Sequence, residues 1–172
     1  MTVDSYKWLP YSLGSWIRKH WELPNEVESV PFTPLKRPIP RARFAPITTG
    51  GLYLKNSQDP FNIERESIEP SWGDPTYRII PRDAKQSDIG ISHLHYNHED
   101  VEQDFNILLP ISRLLEMEAT GEIGSLAPTS YSVMGYQGHP GPRWESWENI
   151  YGPMMLAKMQ SEEVDTVLLT PA

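Results

Sequence analysis

Apolar positions recur at helical spacing through Ile107, Leu108, Ile111, Leu114 and Leu115, while Arg113, Glu116 and Glu118 fall largely elsewhere. Pro110 sits inside this pattern, so a helix is expected to begin near it, with the proline in the first turn, where no amide is needed. Gly121 is the expected terminator, because glycine accepts the left-handed conformation that ends many helices. A second helix is expected around "ENIYGPMMLAKMQ". The stretches between read as strands. "RARFAPITTGGLYL" has strand character through Phe44, Ile47 and the threonines, then breaks at Gly50-Gly51. "TYRIIPRD" is a strand stopped by Pro81, and "DIGISHLHYNHED" begins as one by alternation of Ile89, Ile91 and Leu94. "APTSYSVMGYQG" is another candidate strand, and "GHPGPRW" is a loop. Near the end, Val167, Leu168 and Leu169 form the short apolar run of a buried strand. The succession of strand, helix, strand, helix and strand predicts an α/β fold, an open sheet with flanking helices. Only Thr170, Pro171 and Ala172 follow the final run, so the last strand is expected to lack the helix that would cover it.

The first forty residues pattern differently. Trp8, Tyr11, Trp16, Ile17 and Trp21 suit a short aromatic helix around "SLGSWIRKHW", and "LPNEVESVPFTPLKRPIP" is proline-punctuated and extended. Residues 1–40 are therefore expected to form an aromatic and proline-rich arm, and 41–172 the α/β domain. The arm's aromatics are expected to dock on that domain or on a second subunit rather than to box a ligand.

Composition narrows the function classes. The 172 residues include 17 prolines, which favour irregular segments over long helices, and the 38 % hydrophobic fraction supports a modest core. A formal net charge of −8 argues against nonspecific binding to nucleic acid or to an anionic membrane. No segment has the length of a membrane span, and "MTVDSYKWLPYSL" lacks the basic start and apolar core of a secretory signal. A cytoplasmic protein is expected. Cysteine is absent, so disulfides, thiolate metal sites and thiol redox chemistry are excluded for the residues in hand.

Three regions carry candidate chemistry. "SHLHYNHED" clusters His93, His95 and His98 ahead of Glu99 and Asp100. On a strand His93 and His95 would face one side, as two metal ligands should, with His98 or Asp100 completing a set. The spacing matches no standard zinc signature, and a polar pocket wall of donors and proton carriers is favoured over the metal site. "WGDPTYRIIPRD" places Asp74, Arg78, Arg82 and Asp83 close together. An arginine fork there could hold a substrate carboxylate, although an internal Arg–Asp pair ordering a loop is the better expectation. Gly50-Gly51, beside Thr49, permits positive φ and close approach to a ligand, or simply a tight turn between strands. Thr129, Ser130 and Ser132 lie in no G-x-S-x-G elbow, and neither a Walker loop nor a dinucleotide fingerprint occurs.

Taken together, "RFAPITTGGLYL", "DPFN", "WGDPTYRIIPRD", "ISHLHYNHEDVEQDFNILLPISRLLEMEATGEIG", "SYSVMGY" and "VDTVLLTPA" resemble the selenoprotein B family of glycine, betaine, sarcosine and D-proline reductases, most closely its compact D-proline-reductase-like members. The resemblance runs from about Phe32 to Ala172 and leaves out the aromatic arm. It implies an oxidoreductase subunit that reductively cleaves a carbon–nitrogen bond of a small amine or amino acid. It also implies a selenocysteine or cysteine directly after the strand "VDTVLLTP", hence just beyond Ala172 and missing from a chain ended at a UGA codon. Partners implied are a second reductase subunit, a thiol or thioredoxin-type reductant and, for D-proline-like chemistry, a pyruvoyl group carried on the partner subunit. Position at the carboxyl end of a sheet, where ligands of open α/β folds bind, assigns a substrate pocket to Thr49, Gly50, Gly51, Arg78, His93, His95 and His98. The alternatives are a non-catalytic scaffold relative that ends at Ala172 and a metal-binding protein using the three histidines. A homo-oligomer is also compatible with the pattern.

Overall fold

The computed structural model describes residues 33–69, 72–135 and 145–172. The aromatic helix expected around Trp16 and the loop "GHPGPRW" lie outside the described residues. The chain divides into two units, Met1–Pro34 and Leu35–Ala172, and the account below concerns the second.

The fold is mixed α/β, a five-stranded sheet flanked by helices, with a separate two-stranded ribbon. The strands are β1 (Arg43–Thr48), β2 (Leu52–Leu54), β3 (Tyr77–Pro81), β4 (Ile89–Ile91), β5 (Ser125–Leu126), β6 (Thr129–Val133) and β7 (Thr166–Thr170). The α-helices are α1 (Ile63–Ile68), α2 (Glu99–Gln103), α3 (Ile111–Thr120) and α4 (Gly152–Ser161). β1 is central. One of its edges pairs in parallel with β7, Phe44 opposite Thr166 through Thr48 opposite Thr170. Its other edge pairs in parallel first with β5 and then with β6. β3 closes that side as an antiparallel neighbour of β6, with Arg78 opposite Ser132. β2 and β4 form the antiparallel ribbon.

Alternation along β1 divides the core in two. Phe44 packs with Leu126, Ile80, Leu52, Ile111 and Leu114, under α3 and the ribbon. Ala45 and Ile47 point the other way, to Tyr131, Val133, Met155 and Met159 beneath α4. α4 thus covers the face over which the chain crosses from β6 to β7. Its end is tied down by Glu162. Thr129 Oγ1 donates to Glu162 Oε1 at 2.6 Å, and Lys158 Nζ lies 2.7 Å from the same oxygen. Burial pushes the Glu162 carboxyl up, but the hydrogen bonds from Lys158 and Thr129 outweigh it and hold it below the usual carboxylate range.

Gly121 ends α3 with φ +77°, as expected of a left-handed terminator. Four details depart from the sequence reading. Pro110 is the residue before α3 rather than part of its first turn, and Ile107 belongs to a separate 3₁₀ turn, Phe105–Ile107, with its side chain exposed. β4 stops at Ile91, so His93 and His95 are not strand residues. The buried Ser92 is held by two bonds, its amide to the Gly51 carbonyl and its hydroxyl to that of Phe61, and the chain turns away after it. Arg82 pairs with Glu118 of α3 at 2.7 Å rather than with a nearby aspartate. Finally, β7 is an edge strand rather than a strand buried on both faces. Leu168 packs on the core, but Val167 is 42 % and Leu169 69 % exposed.

Candidate functional site at the carboxyl edge of the sheet

β1, β6 and β7 run in parallel and end together, and the turn Thr49-Gly50-Gly51 lies where they end. The Thr49 amide donates to the Thr170 carbonyl at 3.2 Å, and the Ala172 amide donates to Thr49 Oγ1 at 2.8 Å. From the β6 side, Gly50 bridges to Met134, and the Gly51 amide donates to the Val133 carbonyl. Thr48 Oγ1 accepts from the Gly50 amide. Gly51 adopts φ +64°, and a β-carbon there would collide with the Ser92 carbonyl oxygen, so both the conformation and the space call for glycine.

The histidine loop joins this turn through Tyr96, whose hydroxyl donates to the Gly50 carbonyl at 2.6 Å. Burial pushes the Tyr96 phenol up to about 12, which keeps it a neutral donor. The His93 ring lies 4.6 Å from the Tyr96 ring, and the His98 ring 5.0 Å from it on centroids. His93 Nδ1 accepts the His95 amide at 3.1 Å, and His98 Nε2 donates to the His93 carbonyl at 2.8 Å. Burial, reinforced by the neighbouring His95 and His98, pushes the His93 imidazole down to about 4, so it is neutral at ordinary pH. His95 Nε2 lies 3.1 Å from Oε1 of Glu66, a buried carboxylate on α1.

The structure therefore brings Thr49, Gly50, Gly51, His93, His95 and His98 into one connected cluster at the carboxyl edge. Arg78 stands one layer away. Its guanidinium donates to the carbonyls of Asp59, Pro60 and Tyr77 and to Thr76 Oγ1, and stacks 4.3 Å over Phe61. Burial lowers its pKa, opposed by Asp74 and Asp59. It clamps the 59–61 loop, and through the bond from Ser92 Oγ to Phe61 it supports the start of the histidine loop. Among the described residues no three His, Asp or Glu side chains are arranged to hold a metal ion, and His95 Nε2 and His98 Nε2 are bound to separate protein acceptors. Thr129, Ser130 and Ser132 lie inside β6. Ser132 Oγ accepts the Leu52 amide, which leaves it a structural part of the sheet. Sequence reasoning missed Glu66 and Tyr96. Glu66 lies 29 positions from His95, and its one local sign is a glutamate inside the short pattern "IERESI" that folds inward.

No helix among the described residues is long and apolar enough to cross a membrane. No solved structure matches the chain. Among curated proteins, D-proline reductase subunit gamma of Acetoanaerobium sticklandii is 30 % identical over 139 residues, which cover 81 % of this chain and 52 % of that protein. Glycine reductase complex component B subunit gamma of Carboxydothermus hydrogenoformans is 29 % identical over 152 residues, 87 % of this chain and 32 % of its own length. The chain thus spans about half, or less, of the curated relatives it matches. Residues 17–172 match the family described as glycine/sarcosine/betaine reductase selenoprotein B, and because that match takes in every strand and helix of the sheet domain, the protein belongs to this family.

Proposed function

We propose that this chain forms the substrate-side half of a selenol- or thiol-dependent reductase subunit that cleaves a carbon–nitrogen bond of a small amine or amino acid, of the D-proline or the glycine, betaine or sarcosine type. The observation that carries the reading is the meeting of three parallel strand ends on the turn Thr49-Gly50-Gly51. Thr49 binds the Ala172 amide there, and Tyr96 ties the histidine loop to Gly50. Polypeptide following Ala172 would start beside that turn, at the edge of the sheet where ligands of open α/β folds bind.

A selenocysteine or cysteine placed there supplies the nucleophile, and its selenolate or thiolate form would be favoured at the start of a following helix. The chain's own residues supply the rest. Thr49 Oγ1 accepts the Ala172 amide and keeps a hydroxyl proton to donate, the buried Gly50 and Gly51 hold the turn through their bonded amides and carbonyls, and the histidine loop offers donors and a proton carrier. The 172 residues contain no cysteine and would have no such turnover by themselves. The curated relatives are subunits gamma of reductases, and we assign this chain at least one partner subunit and a thiol or thioredoxin-type reductant, in the cytoplasm. Thr129, Ser130 and Ser132 are paired inside β6 and carry no cleavage signature, so a pyruvoyl group, if used, is left to a partner subunit.

Reading the gene past the Ala172 codon tests the proposal. A UGA, a cysteine codon soon after and a selenocysteine insertion element are expected, and a UAA with no continued frame overturns it. In the full-length, selenium-containing subunit assembled with its partners, His93→Ala, His95→Ala and His98→Ala are each expected to lower turnover. Undiminished turnover in all three removes the pocket.

A further inference from the structure

The three histidines have different partners. His93 receives a backbone amide on Nδ1, and His98 spends Nε2 on the His93 carbonyl, so both rings brace the loop itself. His95 instead meets a carboxylate. Glu66, only 5 % exposed, places Oε1 at 3.1 Å from His95 Nε2, while the His95 side chain is 65 % exposed. A carboxylate accepts, so Nε2 carries the proton and Nδ1 becomes the second, exchangeable position on an open imidazole.

We propose that Glu66 and His95 act as a unit in which the buried carboxylate fixes the Nε2–H tautomer and offsets the imidazolium charge, and His95 Nδ1 delivers the proton taken up by the departing nitrogen. Glu66 is the positioning residue and His95 the proton carrier. This rests on the reductase reading above. The step balances: the selenolate or thiolate forms its bond to carbon as the carbon–nitrogen bond breaks, the electron pair of the broken bond stays on nitrogen, which takes the Nδ1 proton, and solvent re-protonates the ring. The thiol-class reductant then attacks the chalcogen, so that the carbon–chalcogen pair leaves with carbon, which takes a proton, and the reductant is oxidised by two electrons in a mixed disulfide or selenosulfide. The charged and titratable groups around His95 are Glu66, whose carboxylate faces Nε2, and His93 and His98. His93 remains uncharged beside it, so it adds no repulsion of a second cation.

The tautomer of His95 is read by nitrogen-15 NMR of the full-length subunit, independently of turnover. The expected result is an Nε2–H tautomer held by the carboxylate, with Glu66→Leu, which removes the acceptor, raising the Nδ1–H share of the neutral ring by about two-fold or more. An Nδ1–H tautomer in the parent, or a tautomer balance indifferent to Glu66→Leu, overturns the unit. In the full-length enzyme Glu66→Gln and His95→Gln are each expected to lower kcat by about 10²-fold, the range for a lost proton carrier, and the double variant by no more than the worse single. Additive losses, or full turnover by His95→Gln, overturn the proposal even if the NMR result stands. If the wild-type full-length protein reduces no amine, the reductase reading fails and the NMR arm alone decides the pair.

Discussion

His93 shows what burial does to one member of a cluster whose sequence treats all members alike. Half-buried against Tyr96, with two imidazoles beside it, it has a folded pKa of about 4 against an ordinary 6.5. Between those two values the unfolded chain binds more protons than the folded one, so stability falls as pH drops from about 6.5 through 4 and is regained on raising it. His93→Asn keeps an acceptor for the His95 amide while removing the titration. The variant is expected to lose less stability than the parent between roughly pH 7 and pH 4.5, measured by urea unfolding at each pH. A parallel loss in both proteins would show that other groups govern the acid response. The cluster itself was legible in "SHLHYNHED". Its division of labour was not, because that depends on Glu66 and Tyr96, and the contacts of both, to His95 and to Gly50, span tens of positions.

Elements announced themselves in proportion to how local their causes are. α3 and its Gly121 end follow from spacing within one segment, and the strands through Phe44 and Ile47 and in "TYRIIPRD" from the residues of their own short stretches. β4 fell short of His93 because a long-range pair of bonds to Gly51 and Phe61 captures Ser92 and turns the chain. The Gly50-Gly51 break, read from sequence as either a turn or a ligand approach, serves as the turn on which three strand ends and the histidine loop converge. That convergence makes Gly51→Ala informative. The new methyl group meets the backbone oxygen of Ser92, which has no flexible end to yield, and the residue must hold φ +64°. A loss of at least about 2 kcal/mol is expected from the conformation and the collision together. Alanine at Gly121, where no atom lies within contact range of the added carbon, is expected to cost only the smaller conformational part, about 1 kcal/mol. Thermal or urea melts of the two variants compare them directly, and equal losses would mean that the Ser92 contact yields.

At the scale of the sheet, the two outer strands differ. β3 lies antiparallel on β6, while β7, among the described residues, pairs with β1 alone and carries no charged side chain between Thr166 and Thr170, and edges of that kind are the ones proteins normally guard. Register explains which face is bare. Val167 and Leu169 pair with Ala45 and Ile47, so they share the face covered by α4, and α4 reaches only as far as β1 and β6. The chain passes from β6 over β1 to β7 on that face. A further parallel strand added beyond β7 by a connection of the same, right-handed sense would lay its helix on the same face, over Val167 and Leu169. The sequence pattern of three apolar residues was therefore read as one that needs cover, with the covering helix expected to be missing, and Val167 and Leu169 are exposed accordingly. The 172-residue chain on its own is expected to self-associate through this edge with rising concentration. Leu169→Lys places a charge on the exposed face without touching the Leu168 side, so it is expected to return sedimentation to that of a monomer while changing the unfolding free energy by no more than roughly 0.5 kcal/mol. If Leu169→Lys left the association intact, the contact would lie elsewhere, and the bare face of β7 would have no part in it.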